Sequence, residues 1–178
     1  MFDKQYRFRG IHAERVKQLT NVFDPLSKTQ FFNRNVDVYL NAPVIGFLYS
    51  RRADLDNTKN PETNEVYTQN IMGDRVIYSQ KELMFNFRLI MLLDADYEPD
   101  EDKRINKAFR HMGEDPLDEE RFDSYVRGGI DVLYEKLIEN NTDTDDYIVR
   151  LYDFLEEFQE RFNDEISIET VLRLCVKK

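Results

Sequence analysis

Residues 79–93 read SQKELMFNFRLIMLL and end in the longest apolar run of this 178-residue chain. Ser79 and Glu82 have the spacing of a capping box, in which a hydroxyl and a carboxylate satisfy each other's backbone amides. The positions from Leu83 to Leu93 are apolar on most sides of the helix that this start predicts. A helix that is apolar nearly all round is a buried one. We therefore expect residues 80–93 to be the central core helix.

Apolar residues at helical spacing predict the neighbours of this helix. One helix is expected over about 12–22, ending before Asp24-Pro25, because a residue before proline is disfavoured in the α region. Asn35 is expected to cap a buried helix over 35–50, with a strand over 36–40 as the competing interpretation. In the second half, helices are expected at 118–140, at 146–162 and after Ser167. Gly128-Gly129 indicates a kink or a close helix crossing.

The stretch 53–78 is polar, contains Pro61 and is predicted to be a loop or hinge. Glu65–Asn70 and Arg75–Tyr78 are candidates for a small β-hairpin within it. The predicted fold is therefore all-α, one domain over 1–178 with six to seven helices. Its parts are a basic segment (1–52), the irregular 53–78 stretch and an acidic body (79–178).

Charge is distributed unevenly along the chain. The net charge is −10, but residues 1–52 hold nine Lys and Arg against four acids, a net +5, which leaves −15 for the remainder. The single cysteine, Cys175, excludes an intramolecular disulfide. The charged start lacks the apolar segment of a signal peptide, and the five-residue apolar run is too short to span a bilayer. We expect a cytoplasmic protein without membrane contact.

The basic segment supplies the candidate binding residues. Arginine and lysine bind phosphates, and exposed aromatics such as Phe2, Tyr6 and Phe8 could stack on bases. The other interpretation is that these rings are core and that the cations are solvated or paired with the protein's own acids. The nucleic-acid hypothesis names eight residues: Lys4, Arg7, Arg9, Arg15, Lys17, Arg34, Arg51 and Arg52.

Acidic residues suggest a weaker metal hypothesis. Asp54, Asp56 and Glu65 fall at positions 1, 3 and 12 of a loop that resembles an EF-hand, but Lys59 stands where the sharp turn needs glycine. The acids from Asp94 to Asp100 are interpreted as a solvated linker. No nucleophile elbow, phosphate loop or zinc motif is present, so we expect no cofactor and no enzymatic activity. A metal-dependent enzyme built on clustered carboxylates is the third alternative.

Residues 8–52 resemble DndE, the small helical subunit of bacterial DNA phosphorothioation systems. The similar features are Phe8-Arg9, then Glu14-Arg15-Val16-Lys17-x-Leu19, then Asn35 at the start of an apolar helix. The resemblance implies a helical accessory component of a DNA-modification or anti-phage defence complex that contacts DNA through arginine and lysine.

The leading functional hypothesis is a non-catalytic accessory or adaptor subunit of a bacterial multiprotein complex. The abundant Phe and Tyr, the lack of catalytic motifs and the uneven charge all favour it. Its expected partners are other protein subunits, with an ATPase or a nuclease among the candidates, and DNA is a further possible partner. Direct nucleic-acid binding by the basic segment is the alternative.

Overall fold

The computed structural model of the chain describes residues 1–162, so the helix predicted after Ser167 and the thiol of Cys175 lie outside it. The chain divides into two compact units, residues 1–140 and 141–178, and the 53–78 stretch lies inside the first. A single domain over 1–178 stays a prediction. The described residues are mostly helical with one small antiparallel sheet, which confirms the predicted fold class.

The first unit contains two strands and six helices among the described residues. The strands are β1 (Tyr6–Arg9) and β2 (Thr68–Ile71). The helices are α1 (Gly10–Leu19), α2 (Asn35–Leu48), α3 (Gly73–Tyr78), α4 (Gln80–Leu93), α5 (Glu101–Ile105) and α6 (Pro116–Leu137), and a π-helical turn (Asn106–Arg110) extends α5. The second unit contains α7 (Thr144–Phe162). Helix, not strand, is therefore the correct interpretation of residues 36–40.

The small sheet differs in its pairing from the predicted hairpin. β2 lies within the 53–78 stretch as expected, but its antiparallel partner is β1, with Tyr6 opposite Ile71 and Arg9 opposite Thr68. The predicted second strand at 75–78 is wrong, because these residues belong to α3. Tyr6-Arg7-Phe8-Arg9 alternates with the period of two that a strand requires, so the signal for β1 was present in the sequence.

The most buried helix of the first unit is α6, not α4 as predicted. Val126 and Ile130 of α6 are completely inaccessible, whereas α4 leaves Phe85 64% and Leu93 58% exposed. The predicted capping box is also absent, since the Ser79 side chain makes no capping hydrogen bond. The apolar residues of α4 are therefore divided between the core and the surface.

A close crossing of α2 and α6 forms the centre of the first unit. A Cβ atom on Gly129 would overlap the carbonyl oxygen of Ala42, and one on Gly46 would overlap that of Tyr125. Glycine at these positions lets the two backbones touch, and α6 stays helical throughout. Of the two interpretations of Gly128-Gly129, the close crossing is the one found.

Side chains from three helices and from the segment before β1 fill the space beside this crossing. The rings of Phe2, Tyr39, Phe87 and Phe122 meet edge to face or tilted, with centroids 5.6–6.4 Å apart. Asn86 of α4 donates to the carbonyl oxygen of Leu40 in α2 at 2.7 Å. The resulting core is aromatic, as the composition suggested.

Candidate functional site

Three of the eight predicted binding cations are paired with the protein's own carboxylates. Arg34 lies 2.7 Å from Asp37, and Arg51 lies 2.7 Å from Glu135. Arg15 donates to Asp131, and its guanidinium lies over the ring of Tyr134 at 4.9 Å. For these three arginines the structure favours intramolecular pairing over a free basic face.

The other five cations are not paired with a carboxylate within residues 1–162, and the set of eight extends over both ends of α2. Arg7 donates to Asn70 at 2.9 Å across the sheet. Among residues 1–162, the remaining four form no ion pair and lie exposed: Lys4, Arg9, Lys17 and Arg52. Arg34 precedes α2 and Arg52 follows it, so about 20 Å of helix separates them at 1.5 Å per residue.

The aromatic residues between these cations are structural. Phe2 and Phe8 are buried, and Tyr6 is half-buried and stacks on Tyr39 with ring centroids 4.0 Å apart. The hypothesis that they are exposed base-stacking platforms is therefore wrong. In β1 the rings point to the interior and the arginines point out, because successive side chains of a strand face opposite ways.

A groove at the end of the sheet contains an arginine that the sequence did not indicate. Arg34, Asn35, Asn70 and Arg75 line an open cavity of about 250 Å³. Asn35 does not cap α2 as predicted; its amide donates to the Asn70 carbonyl oxygen at 3.2 Å. Arg7 does not line this cavity, but it donates to Asn70, which does. We call these three arginines the arginine groove (Arg7, Arg34, Arg75).

The carboxylates of the metal hypothesis do not converge. Asp56 Oδ1 accepts hydrogen bonds from the backbone amides of Ile11 at 2.6 Å and Thr58 at 2.9 Å. Partial burial opposes its ionisation, but these amides hold the pKa of Asp56 below its ordinary value. Within residues 1–162, no group of three His, Cys, Asp or Glu side chains could hold a metal. Asp54, Asp56 and Glu65 therefore do not form the predicted loop site.

Asp94 belongs to a buried polar network, not to a solvated linker. It is 3% exposed and receives two hydrogen bonds from Arg121, at 2.7 and 3.0 Å, and one from the Tyr125 hydroxyl at 2.9 Å. Burial opposes ionisation, but the Arg121 and Tyr125 donors hold the pKa of Asp94 below its usual range. The network ties the end of α4 to α6.

A second network lies beside the first. Asp118, which is 1% exposed, accepts from the Tyr97 hydroxyl at 2.7 Å and from Lys107 Nζ at 2.6 Å. Burial and the neighbouring carboxylate raise the pKa of Tyr97 to about 12. Since both charges in it are paired, this cluster acts as a structural brace between the π-helical turn and α6.

His12 is buried and belongs to the packing between α1 and α6. Its Nε2 lies 3.2 Å from Asp131, the carboxylate that also pairs with Arg15. These contacts are those of a buried structural residue.

The second unit presents an apolar surface on α7. Ile148, Val149, Tyr152 and Leu155 are each 56–65% exposed. Ile148, Tyr152 and Leu155 are spaced at i, i+4 and i+7, so they lie within roughly 60° of one another around the helix at about 100° per residue. We call these four residues the open face of α7.

Three phenylalanines continue the apolar stripe of α7 beside the open face. Phe154 is 8% exposed, and its ring lies 6.1 Å from that of Phe158, which lies 4.7 Å from that of Phe162. The apolar side of α7 is therefore wider than the part that is buried, and the open face remains exposed. Acidic residues border the open face on the side of Val149. At about 100° per residue, Asp145 and Glu156 lie between Tyr152 and Val149 around the helix, and Asp153 and Glu160 lie just beyond Val149.

None of the helices in residues 1–162 combines the length and the apolar character needed to cross a membrane. Comparisons with protein-family models, curated proteins and solved structures give no significant match to this chain. The resemblance of residues 8–52 to DndE therefore stays a prediction.

Proposed function

We propose that the protein is a non-catalytic accessory subunit of a cytoplasmic bacterial multiprotein complex and that it binds a protein partner through the open face of α7. The observation that carries the proposal is the exposure of four large apolar side chains on one side of this helix. Contiguous exposed apolar surface on a water-soluble domain usually marks an interaction site.

The chemistry of α7 indicates the kind of partner. An amphipathic helix binds by laying residues at i, i+4 and i+7 into an apolar groove. Residues 144–162 carry six acids against two arginines, and four of the acids border the open face. The matching surface is an apolar groove with a rim of lysine and arginine, because charge complementarity selects the partner and speeds its encounter.

Co-purification tests this function. The tagged chain, expressed in its own cells, should retain a stoichiometric partner at low salt and lose part of it as salt rises. The double substitution Ile148→Ser, Leu155→Ser should abolish retention, since it removes two anchors of the open face.

Leu26 supplies the matched control. It is 97% exposed and lies outside α7, so Leu26→Ser makes the same kind of change elsewhere. The proposal is contradicted if the α7 double variant still retains the partner. It is also contradicted if Leu26→Ser loses the partner to the same extent as the double variant. A chain that remains a solitary monomer in its own cells would contradict it as well.

Nucleic-acid binding is a second candidate function, and the arginine groove favours it. Two arginines of the cavity lining, with Arg7 bound to the lining residue Asn70, can engage adjacent phosphates, and the side-chain amides of Asn35 and Asn70 add further hydrogen-bonding groups. Arg34 is shared with Asp37, so the groove would bind phosphate in competition with an internal carboxylate.

Charge reversal distinguishes this candidate from general electrostatic attraction. Replacing Arg7, Arg34 and Arg75 by Glu should remove duplex DNA binding, and the wild-type affinity should fall steeply with salt. Replacing Lys28, Lys59 and Lys81 by Glu changes the net charge equally at exposed positions elsewhere. If both triple variants lose binding equally, the groove is not the site.

A further inference from the structure

A small cavity lies in the first unit where the start of the chain meets α2 and α6. Its volume is about 120 Å³, and the rings of Phe2, Tyr6, Tyr39 and Phe122 line it. An apolar cavity of about 150 Å³ can hold a molecule the size of benzene. This one therefore has room for a ligand of about four to six non-hydrogen atoms.

Two acidic residues of α6 line the cavity, together with Lys4 and with Met1, whose terminal ammonium lies 3.8 Å from Asp3. Asp123 and Glu119, one turn apart on α6, both line it. The Tyr6 hydroxyl donates to Asp123 Oδ1 at 3.2 Å, and no other described residue donates to Asp123. Its Oδ2 thus remains able to accept a hydrogen bond.

The environment of Asp123, which is half-buried, differs from that of the buried carboxylates Asp94 and Asp131. Asp94 and Asp131 each have an arginine within hydrogen-bonding distance, whereas Asp123 has only a tyrosine hydroxyl. Burial consequently raises the pKa of Asp123 to about 7, although the charge of Arg127 opposes the rise. A carboxylate in this position is stabilised by any cation that enters the cavity.

The backbone beside the cavity is strained. Phe2 has a φ of +55°, in the left-handed region that bulky residues avoid. This conformation directs its ring against Phe122, with centroids 5.6 Å apart. Strain of this type is concentrated at ligand sites, where the surrounding structure enforces it.

We propose that this cavity binds a small organic cation, a primary or methylated ammonium group of about six non-hydrogen atoms or fewer. The ammonium donates to Asp123, the second carboxylate, Glu119, adds electrostatic attraction, and the surrounding rings supply faces that attract cations. Lys4 also lines the cavity, but it is exposed and forms no ion pair with a described residue. Its charge therefore opposes the bound cation from the rim.

Calorimetric titration of the full chain at pH 8 with n-propylammonium tests the proposal. Propan-1-ol has the same number of non-hydrogen atoms and no charge, so it should bind at least tenfold more weakly. Asp123→Asn should weaken propylammonium binding by about tenfold, because it removes the charge and keeps the acceptor for Tyr6. Lys4→Gln should strengthen binding a few-fold, because it removes the like charge.

Two further variants keep the result interpretable. Glu119→Gln lies at an exposed position, so it should leave folding unchanged and weaken binding a few-fold even if Asp123→Asn does not fold. Glu65→Gln, an exposed acid remote in sequence from the cavity lining, should have no effect. The proposal is overturned if propylammonium shows no saturable binding or if propan-1-ol binds with the same affinity. It is also overturned if both Asp123→Asn and Glu119→Gln bind propylammonium with wild-type affinity.

Discussion

The side chain of Asp94 joins three donors in the interior of the first unit, so its replacement is the most informative single change there. Asp94→Asn leaves the Arg121 guanidinium buried without its counter-charge. We expect a loss of about 3 kcal/mol in the free energy of unfolding, measured with urea. The exposed neighbour Asp96 is the matched control, and Asp96→Asn should change stability by less than about 0.5 kcal/mol.

The pH dependence of the Asp94 contribution has a definite sign. Its pKa is lower in the folded state than in the unfolded chain, so it stabilises the fold above the unfolded pKa of about 3.9. This contribution disappears as the pH falls through the folded pKa. The stability difference between wild type and Asp94→Asn should therefore narrow in acid, and a difference that is constant with pH would refute this assignment.

The contribution of Asp123 to stability depends on pH in the opposite direction. Because its folded pKa is about 7, the folded state binds a proton that the unfolded chain releases above about pH 4. The bound proton favours the folded state, so the free energy of unfolding of the wild type should fall as the pH rises from about 4 to about 7. In Asp123→Asn this decrease should be absent. Urea unfolding at several pH values measures the difference, which should grow across this window and level off above it. A flat difference would indicate that the carboxyl is solvated.

At the scale of elements, the crossing of α2 and α6 depends on the absence of side chains. Gly129→Ala places a methyl group on the Ala42 carbonyl oxygen, so the helices must separate. We expect a loss of about 3 kcal/mol or more, measured by urea unfolding or by melting temperature. Gly73→Ala at the start of α3 is the control: its Cβ would meet only ordinary contacts of 3.4 Å or more, and it should be tolerated.

The start of α1 is held from outside the helix. Asp56 accepts the amide of Ile11, although 45 residues separate them, so Asp56→Ala should cost about 1–2 kcal/mol. The decrease in the free energy of unfolding should be the same in EDTA and in calcium, because Asp56 accepts a hydrogen bond from a backbone amide and is not a metal ligand in this arrangement. A melting temperature that rises with calcium in the wild type but not in Asp56→Ala would restore the metal hypothesis.

The long helices were predictable from the sequence, but the short helix α3 and the partners of the elements were not. The apolar period of α2, α6 and α7 is local, so the sequence reveals it directly. The partner of β1 lies more than fifty residues away along the chain. The alternation of aromatics and arginines in β1 itself fits both a strand and a nucleic-acid-binding segment. Asp94 belongs to an acidic run typical of solvent-exposed linkers, and only the position of Arg121, 27 residues later, makes its burial favourable. Arg75 joins the arginine groove through tertiary structure alone.

For the molecule as a whole, the division into two units makes a prediction about truncation. Residues 1–140 enclose their own aromatic core and both polar networks. A chain ending after Asn140 should therefore unfold cooperatively and keep the near-ultraviolet circular dichroism of its buried tyrosines. It should lose the protein partner with the open face of α7, and any DNA affinity due to the arginine groove should remain. Non-cooperative unfolding of residues 1–140 would contradict their description as a separate unit.

The pairing of β1 with β2 has a consequence for the newly made chain. Ribosomes add roughly 5–20 residues per second, so the first strand waits several seconds for its partner and longer for α6. During that interval Phe2, Tyr6 and Phe8 have no core to enter, and the strand edge can pair with other chains. The nascent protein should therefore depend on chaperones early in translation, and this dependence should end only when residues 116–137 have emerged.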